Sequence, residues 1–369
     1  MNILVLRPSW KALDYALFDA GRRRPALVGK INERDCGRHG AFAPSDAFRR
    51  VLEACRKSHA PGAPELVGIR LTFGGEEFTE PALVTNAVLE RLRGLAHQAP
   101  LHLPPALALI ERCRESLPEM PIILVFETAF FVKLPLRERG YGMDAGVVQE
   151  LGIRRYGYHG IFHETACKLA SRLVGVRGTS SCRRVLSICL EPRPEIAAVI
   201  GRRPVMVTSG ATPLEGLPGQ TACGELDPGI VLHLARKLGW GPEQINQCLT
   251  GESGLAGLTG HRITLDGLFH DEWGPAIELA RQVMRYRMLL ACGAGVAAMG
   301  WVDAIVFSGR YFDLGEVLGP WLAGRLAVNG RSEAPEIPWT SLHEPLDRLI
   351  ADQVAAAFAG RAVLTAVTE

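Results

Sequence analysis

Apolar and polar positions alternate in blocks from the first residues. Asn2 to Leu6 is a continuous apolar run, and Arg7-Pro8-Ser9-Trp10-Lys11 breaks it. Tyr15-Ala16-Leu17-Phe18-Asp19 reads as a second strand and Pro25-Ala26-Leu27-Val28-Gly29 as a third. The pattern returns at Arg184. Arg184 to Leu190 is a strand, Glu191-Pro192-Arg193-Pro194 a break, Glu195 to Ile200 a strand, and Pro204 to Thr208 another. Each half therefore opens as strand, turn, strand, turn, strand. Further buried strands are expected over Leu66–Leu71, Ile122–Phe126 and Ala304–Gly309. Helices are expected over Pro81–Leu95, Thr165–Leu173, Gly229–Leu238, Pro275–Met299 and Pro345–Gly360. Strands alternating with helices predict an α/β class with mixed sheets.

The polar stretch Gly175 to Ser181 marks the domain boundary, giving domains over 1–180 and 181–344. The final segment, 345–369, places Leu346, Leu349, Ile350, Val354 and Phe358 on one helical face and is expected to return to the first domain.

Composition narrows the setting. Over 369 residues, 41 Lys+Arg balance 39 Asp+Glu to +2, and 47% of residues are hydrophobic. These figures exclude a disordered chain and a strongly basic nucleic-acid binder. The nine Cys are scattered without a Cys-x-x-Cys pair, which suits reduced thiols in the cytoplasm and neither a disulfide framework nor a zinc site. The apolar part of Met1 to Arg7 is too short for a signal peptide. The apolar run Met288 to Val302 falls short of the ~20 residues that cross a bilayer, so no membrane partner is expected.

A duplicated α/β chain with a hairpin opening each half resembles the actin-like ATPase and sugar kinase superfamily. In such folds the cleft between halves is the expected ligand site. Five segments are more specific: Val67-Gly68-Ile69-Arg70 with Gly74-Gly75-Glu76; Ala99-Pro100-Leu101-His102; Phe126-Glu127-Thr128-Ala129-Phe130; Ile153 to Gly160 with His163; and Ala211 to Leu217 with Asp227-Pro228. In this order they resemble the acetate kinase family, which includes propionate and butyrate kinases.

The resemblance implies phosphoryl transfer from ATP, with Mg²⁺, to a short carboxylate, giving an acyl phosphate. It also implies a homodimer formed through the second domain. It makes Arg70, His159 and Glu127 the catalytic candidates. Arg70 offers a guanidinium fork to a carboxylate, His159 matches the histidine aimed at the transferred phosphoryl, and Glu127 replaces an aspartate with a side chain one methylene longer. His102 and His163 match further family histidines. Leu101, Tyr158 and Pro213 match the walls of the acyl pocket, with His102 beside them, and Thr72 sits where that pocket is usually aliphatic. Glu344 and Asp347 are alternatives for the metal.

The departures from the family lie on the nucleotide side. Its Ser/Gly-rich first loop is here Arg7 to Ala12, and its second is Cys189 to Arg193. Pro8, Pro192 and Pro194 remove N–H donors, and Glu191 adds a negative charge. The adenosine loop is Gly309-Arg310-Tyr311-Phe312-Asp313, and the family's transition-state arginine is Ala222. Arg7, Lys11 and Arg193 are either new phosphate binders or solvated turn residues. Arg7, Arg193, Gly309 and Asp313 form the nucleotide-binding set. The expected function is the family reaction, altered or impaired in its use of ATP. The alternative is an inactive pseudokinase that binds a carboxylate or acyl phosphate in a regulatory or scaffolding role.

Overall fold

The structure is a computed structural model, described over residues 1–9, 11–19, 21–32, 35, 43–58, 62–173, 183–271, 273–327 and 337–367, with side chains to 360. Trp10, Cys36, Cys182 and the stretch 175–181 lie outside the described residues. In chain order the principal elements are β1 (Asn2–Pro8), β2 (Ala12–Asp19), β3 (Leu27–Asn32), α1 (Pro44–Lys57), β4 (Leu66–Leu71) and β5 (Ala82–Leu83). Next come α2 (Asn86–Gly94), α3 (Leu103–Ser116), β6 (Ile122–Phe126), α4 (Gly160–Leu173), β7 (Arg184–Cys189), β8 (Glu195–Ile200) and β9 (Arg203–Val207). The chain closes with α5 (Pro275–Met299), β10 (Ala304–Ser308), α6 (Gly315–Leu326), β11 (Trp339–Ser341) and α7 (Leu346–Val367).

The chain forms two compact units. Unit 1 is Met1–Val132 with Glu344–Glu369, and unit 2 is Lys133–His343. The division falls at 132, not at the 180 drawn from sequence, because α4 packs on β7 and β10 of the second sheet. Its Ala166 and Ala170 meet Val185, Ala304 and Val306 there. Polar composition at 175–181 marks a surface stretch, which is weaker information than the apolar face of the helix before it.

Unit 1 carries a six-stranded sheet in the order β3-β2-β1-β4-β6-β5. Its strands β1, β4 and β6 run parallel, with Leu6 beside Ile69 and Leu71 beside Phe126. Unit 2 has the order β11-β10-β7-β8-β9, with β7, β10 and β11 parallel. Each sheet thus begins as an antiparallel three-strand meander and continues through parallel crossovers, which is the duplication expected. Arg7, Arg70 and Glu127 emerge at the carboxyl ends of β1, β4 and β6. Open α/β sheets bind ligands beyond those ends.

Two elements differ from expectation. Pro81 to Leu95 is not one helix: Ala82 and Leu83 pair antiparallel with Leu124 and Ile123, and Thr85 caps α2 by accepting from Val88 N at 3.2 Å. The third strand starts two residues later than read, at Leu27, because Ala26 N still closes the turn onto Leu17 O.

The last helix docks as its apolar face predicts. Leu349, Ile350 and Val354 are buried, and α7 crosses β1, β2, β4 and β6. This contact gives Gly68 its reason: a Cβ there would lie 2.6 Å from Val354 Cγ2. Gly68→Ala is therefore expected to destabilise the chain by about 1–3 kcal/mol through overpacking. The double variant with Val354→Ala should lose less than the sum of the two single variants, as measured by urea unfolding.

Candidate functional site

In unit 1 the strand ends hold two ion pairs. Arg70 Nε donates to Glu127 Oε1 at 2.7 Å, with Glu127 fully buried and Arg70 half-buried. Arg70's remaining guanidinium N–H groups have no hydrogen bond to a described residue. Glu127 thus serves as the brace of Arg70. Thr128 fixes the same corner, accepting from Gly74 N at 2.9 Å, and Phe78 stacks on Phe126 at 4.5 Å. This links two of the sequence motifs physically.

The second pair joins Arg7 to Asp347, with Nε–Oδ1 at 2.5 Å and Nη2–Oδ2 at 3.3 Å. Arg7, a nucleotide-binding candidate, thus carries a counter-ion, and Asp347, a metal candidate, is engaged by it. Glu344 is half-buried and makes no ion pair among the described residues. Among those residues no three His, Cys, Asp or Glu side chains converge as a metal cage. Leu101 is exposed, and His102 is half-buried immediately before α3. Thr72 is half-buried just after β4.

The first hairpin loop closes on itself. Ser9 Oγ accepts from Ala12 N at 3.0 Å and Lys11 N at 3.4 Å, and Ser9 N donates to Ala12 O at 2.9 Å. The N–H groups of Ser9, Lys11 and Ala12 are thus engaged within the turn.

Unit 2 is organised by a residue the sequence reading passed over, Glu195, at the start of β8. Its carboxylate is fully buried. It accepts from Tyr158 N at 3.0 Å and His159 N at 3.0 Å, at the entry to α4, and from His163 Nε2 at 3.1 Å. His163 Nδ1 lies 2.7 Å from Ser187 Oγ. His163 is fully buried, and both its ring nitrogens lie within this network. Burial raises the carboxyl's pKa, but the His163 bond, the His159 and His163 charges and the Ser209 hydroxyl outweigh it and hold Glu195 at about 2. The signal in the sequence was a lone acid opening the apolar strand Glu195 to Ile200 directly after Pro194.

His159 is half-buried, and its Nε2 lies 3.2 Å from the Arg193 carbonyl, which can only accept. Tyr158 is buried and donates its hydroxyl to Ala211 O at 2.6 Å; burial pushes its pKa up. Pro213 is half-buried two residues further on. The other motif residues brace this loop. Arg155 Nη2 meets Glu215 Oε1 at 2.5 Å, and Tyr141 donates to Glu215 Oε2 at 2.5 Å.

Around the second hairpin, Glu191 Oε1 accepts from Arg310 N at 2.9 Å. Gly309, at φ +90°, lets the chain pass Leu190, whose carbonyl oxygen would lie 2.8 Å from a Cβ. Arg310 and Asp313 are exposed, and Phe312 packs edge-on against His343 at 4.7 Å. Ala222 is buried. Among the described residues seven cysteines are free, and no helix is long and apolar enough to cross a membrane.

The two meander-plus-crossover sheets, with charged side chains at their carboxyl ends, define a duplicated actin-like α/β protein. A sequence model of the Acetokinase family matches residues 35–316. Acetate kinase 1 of Vibrio cholerae is 32% identical over 349 residues, covering 89% of this chain and 87% of its own. Acetate kinase of Leifsonia xyli is 32% identical over 326 residues, covering 83% and 81%. The chain belongs to the acetokinase family. Solved structures share its fold. Porphyromonas gingivalis acetate kinase gives a TM-score of 0.81 at 24% identity, covering 96% of this chain and 99% of that one. A Francisella tularensis propionate kinase gives 0.84 at 22% identity, with the same coverage.

Because Glu195 titrates below the ordinary 4.5, its ionised form stabilises the fold. That contribution is complete above about pH 4.5 and is lost as pH falls towards about 2. Glu195→Ala should cost about 3–5 kcal/mol by denaturant titration at pH 7, since it strands His163 and two backbone N–H groups. Its stability should also fall less steeply than the wild type's between pH 5 and pH 3, an interval set by the linkage relation.

Proposed function

We propose that this chain transfers a phosphoryl group between a nucleoside triphosphate and a short carboxylate, acetate or propionate. Its carboxylate grip is retained, and its hold on the nucleotide phosphates comes from side chains in place of loop N–H groups. The observation that carries this reading is Arg70, fixed at 2.7 Å by the buried Glu127, with its other guanidinium N–H groups unbonded among the described residues. A fork oriented in this way suits a carboxylate or acyl phosphate, and loses little freedom when one binds. The names of the relatives, acetate kinase and propionate kinase, supply the acyl class. Thr72 gives the acyl end a more polar neighbour than an aliphatic residue would.

On the phosphoryl side, Glu195 sets the backbone of His159 and Arg193 receives its ring. His159 is thereby held in one orientation, with its Nε2 on the Arg193 carbonyl.

The family in general works with ATP and Mg²⁺. Mg²⁺ in phosphoryl-transfer sites takes one or two carboxylates and completes its shell with phosphates and water. Glu344 fits that role because it makes no ion pair among the described residues, whereas Asp347 is bound to Arg7. Bound there, the ion would neutralise phosphate charge. Pairing of two copies through the second domain is supported by the exposed apolar Tyr286 and Leu290 on α5.

Acyl phosphate should form from acetate or propionate with ATP-Mg²⁺, at a nucleotide KM well above its carboxylate-site demands, when trapped as the hydroxamate. Arg70→Ala should lower kcat/KM for the carboxylate by about 10²-fold or more. Absence of turnover with ATP, GTP and pyrophosphate alike would favour the non-catalytic binding protein. Separately, Glu344→Gln should weaken Mn²⁺ binding to the nucleotide complex about tenfold by electron paramagnetic resonance, a hydrogen-bonded charge being worth about 1.5 kcal/mol or more. Asp347→Asn should leave that affinity unchanged and lower the melting temperature.

A further inference from the structure

Phosphoryl transfer needs a fixed positive charge on the oxygens of the group in flight. The arginines of unit 2 near His159 are mostly committed. Arg155 is bound to Glu215 at 2.5 Å, Arg154 lies over the Tyr156 ring at 4.7 Å, and Arg310 approaches Glu191 at 4.0 Å. Arg184 stands at the other end of β7, over the Trp301 ring at 3.3 Å.

Arg193 differs. It is half-buried, and among the described residues its guanidinium makes no hydrogen bond, ion pair or ring contact. Desolvation lowers its pKa, and its one titratable neighbour of consequence is the Cys223 thiol, not a carboxylate. A partly desolvated cation without a counter-ion is costly, and a bound anion removes that cost.

The loop around Arg193 is rigid. Pro192 and Pro194 fix φ on either side. Pro192 O accepts from Gln220 N at 2.8 Å, and Arg193 O lies 3.2 Å from His159 Nε2. Its stem and the buried methyl of Ala222 both crowd Gly219: a Cβ there would lie 3.2 Å from Arg193 Cγ and 3.4 Å from Ala222 Cβ.

We propose that Arg193 is a catalytic residue whose guanidinium binds the oxygens of the phosphoryl group during transfer, supplying from the β7–β8 hairpin a positive charge that Ala222 does not. The inference rests on the phosphotransfer reading above. In the step it serves, a carboxylate oxygen forms the new bond to phosphorus as the bond from phosphorus to the donor's bridging oxygen breaks. The electron pair of the broken bond stays on that bridging oxygen. Arg193 gains and loses no proton.

The test is Arg193→Ala and Arg193→Lys in the full chain. Arg193→Ala should lower kcat by about 10³-fold while the carboxylate KM stays within about threefold, as expected when only the transition state loses a contact. Millimolar guanidinium chloride should restore activity at least about tenfold, urea at equal concentration should not, and Arg193→Lys should lie between, because an ammonium keeps the charge without the fork. Two results overturn the proposal: a kcat near wild type, or a loss that guanidinium leaves unrestored while the melting temperature falls. If the wild type transfers phosphoryl with no donor, the functional reading fails by itself, and calorimetry with acetyl phosphate then decides on Arg193. A tenfold weaker affinity for acetyl phosphate in Arg193→Ala, with acetate binding unchanged, supports the residue's role, since tenfold is about 1.4 kcal/mol of direct contact. Equal affinity in both proteins, or no binding to either, rejects it.

Discussion

A carboxylate removed from water must be met by donors or a counter-ion, and each unit of this protein holds one that is. Glu127 in unit 1 has no exposed surface and engages Arg70; Glu195 in unit 2 has none and engages two backbone N–H groups and His163. The requirement fixes more than the acids. Arg70 cannot rotate freely while its Nε serves Glu127. The chain at Tyr158 and His159 cannot drift while both N–H groups point at Glu195. Functional side chains are thereby ordered by their neighbours' electrostatic need, before any ligand arrives.

The fold was legible wherever apolar runs were long. β8 (Glu195–Ile200) and α5 (Pro275–Met299) have the residue limits read from the sequence, and the repeated strand-turn-strand opening yields the two meanders. Where reading and structure part, a single local bond decides. The Thr85 cap splits Pro81 to Leu95 into an edge strand and a helix, and the packing of α4 moves the division between units away from a polar stretch. Neither cause has a strong periodic signature.

The site was legible in its residue types but less so in their roles. Arg70, Glu127 and His159 stand at strand ends and a helix entry as the motifs suggest. Glu127 is a catalytic candidate by its motif and its carboxylate meets Arg70; His163 matches a family histidine and its ring nitrogens lie on Ser187 and Glu195. Arg7 and Asp347 are 340 positions apart, and no spacing rule joins them. Glu195 is only weakly signalled, because one acid at the head of an apolar strand looks like a solvated strand end. Its donors come with the chain that enters α4, from Tyr158 and His159 just before the helix and His163 in its first turn.

Unit 1 is not continuous in sequence, since its sheet is covered by α7 from the far end of the chain. This has a consequence for synthesis on the ribosome. β1 to β6 emerge early, with the apolar face around Gly68 bare, and must wait through the whole of unit 2 for the helix that seals it. Domains are generally completed as units during translation, so the later half of this protein can close first. The N-terminal half then becomes native only when α7 is released, so a chain stopped near residue 344 leaves the sheet of unit 1 without the helix that covers it.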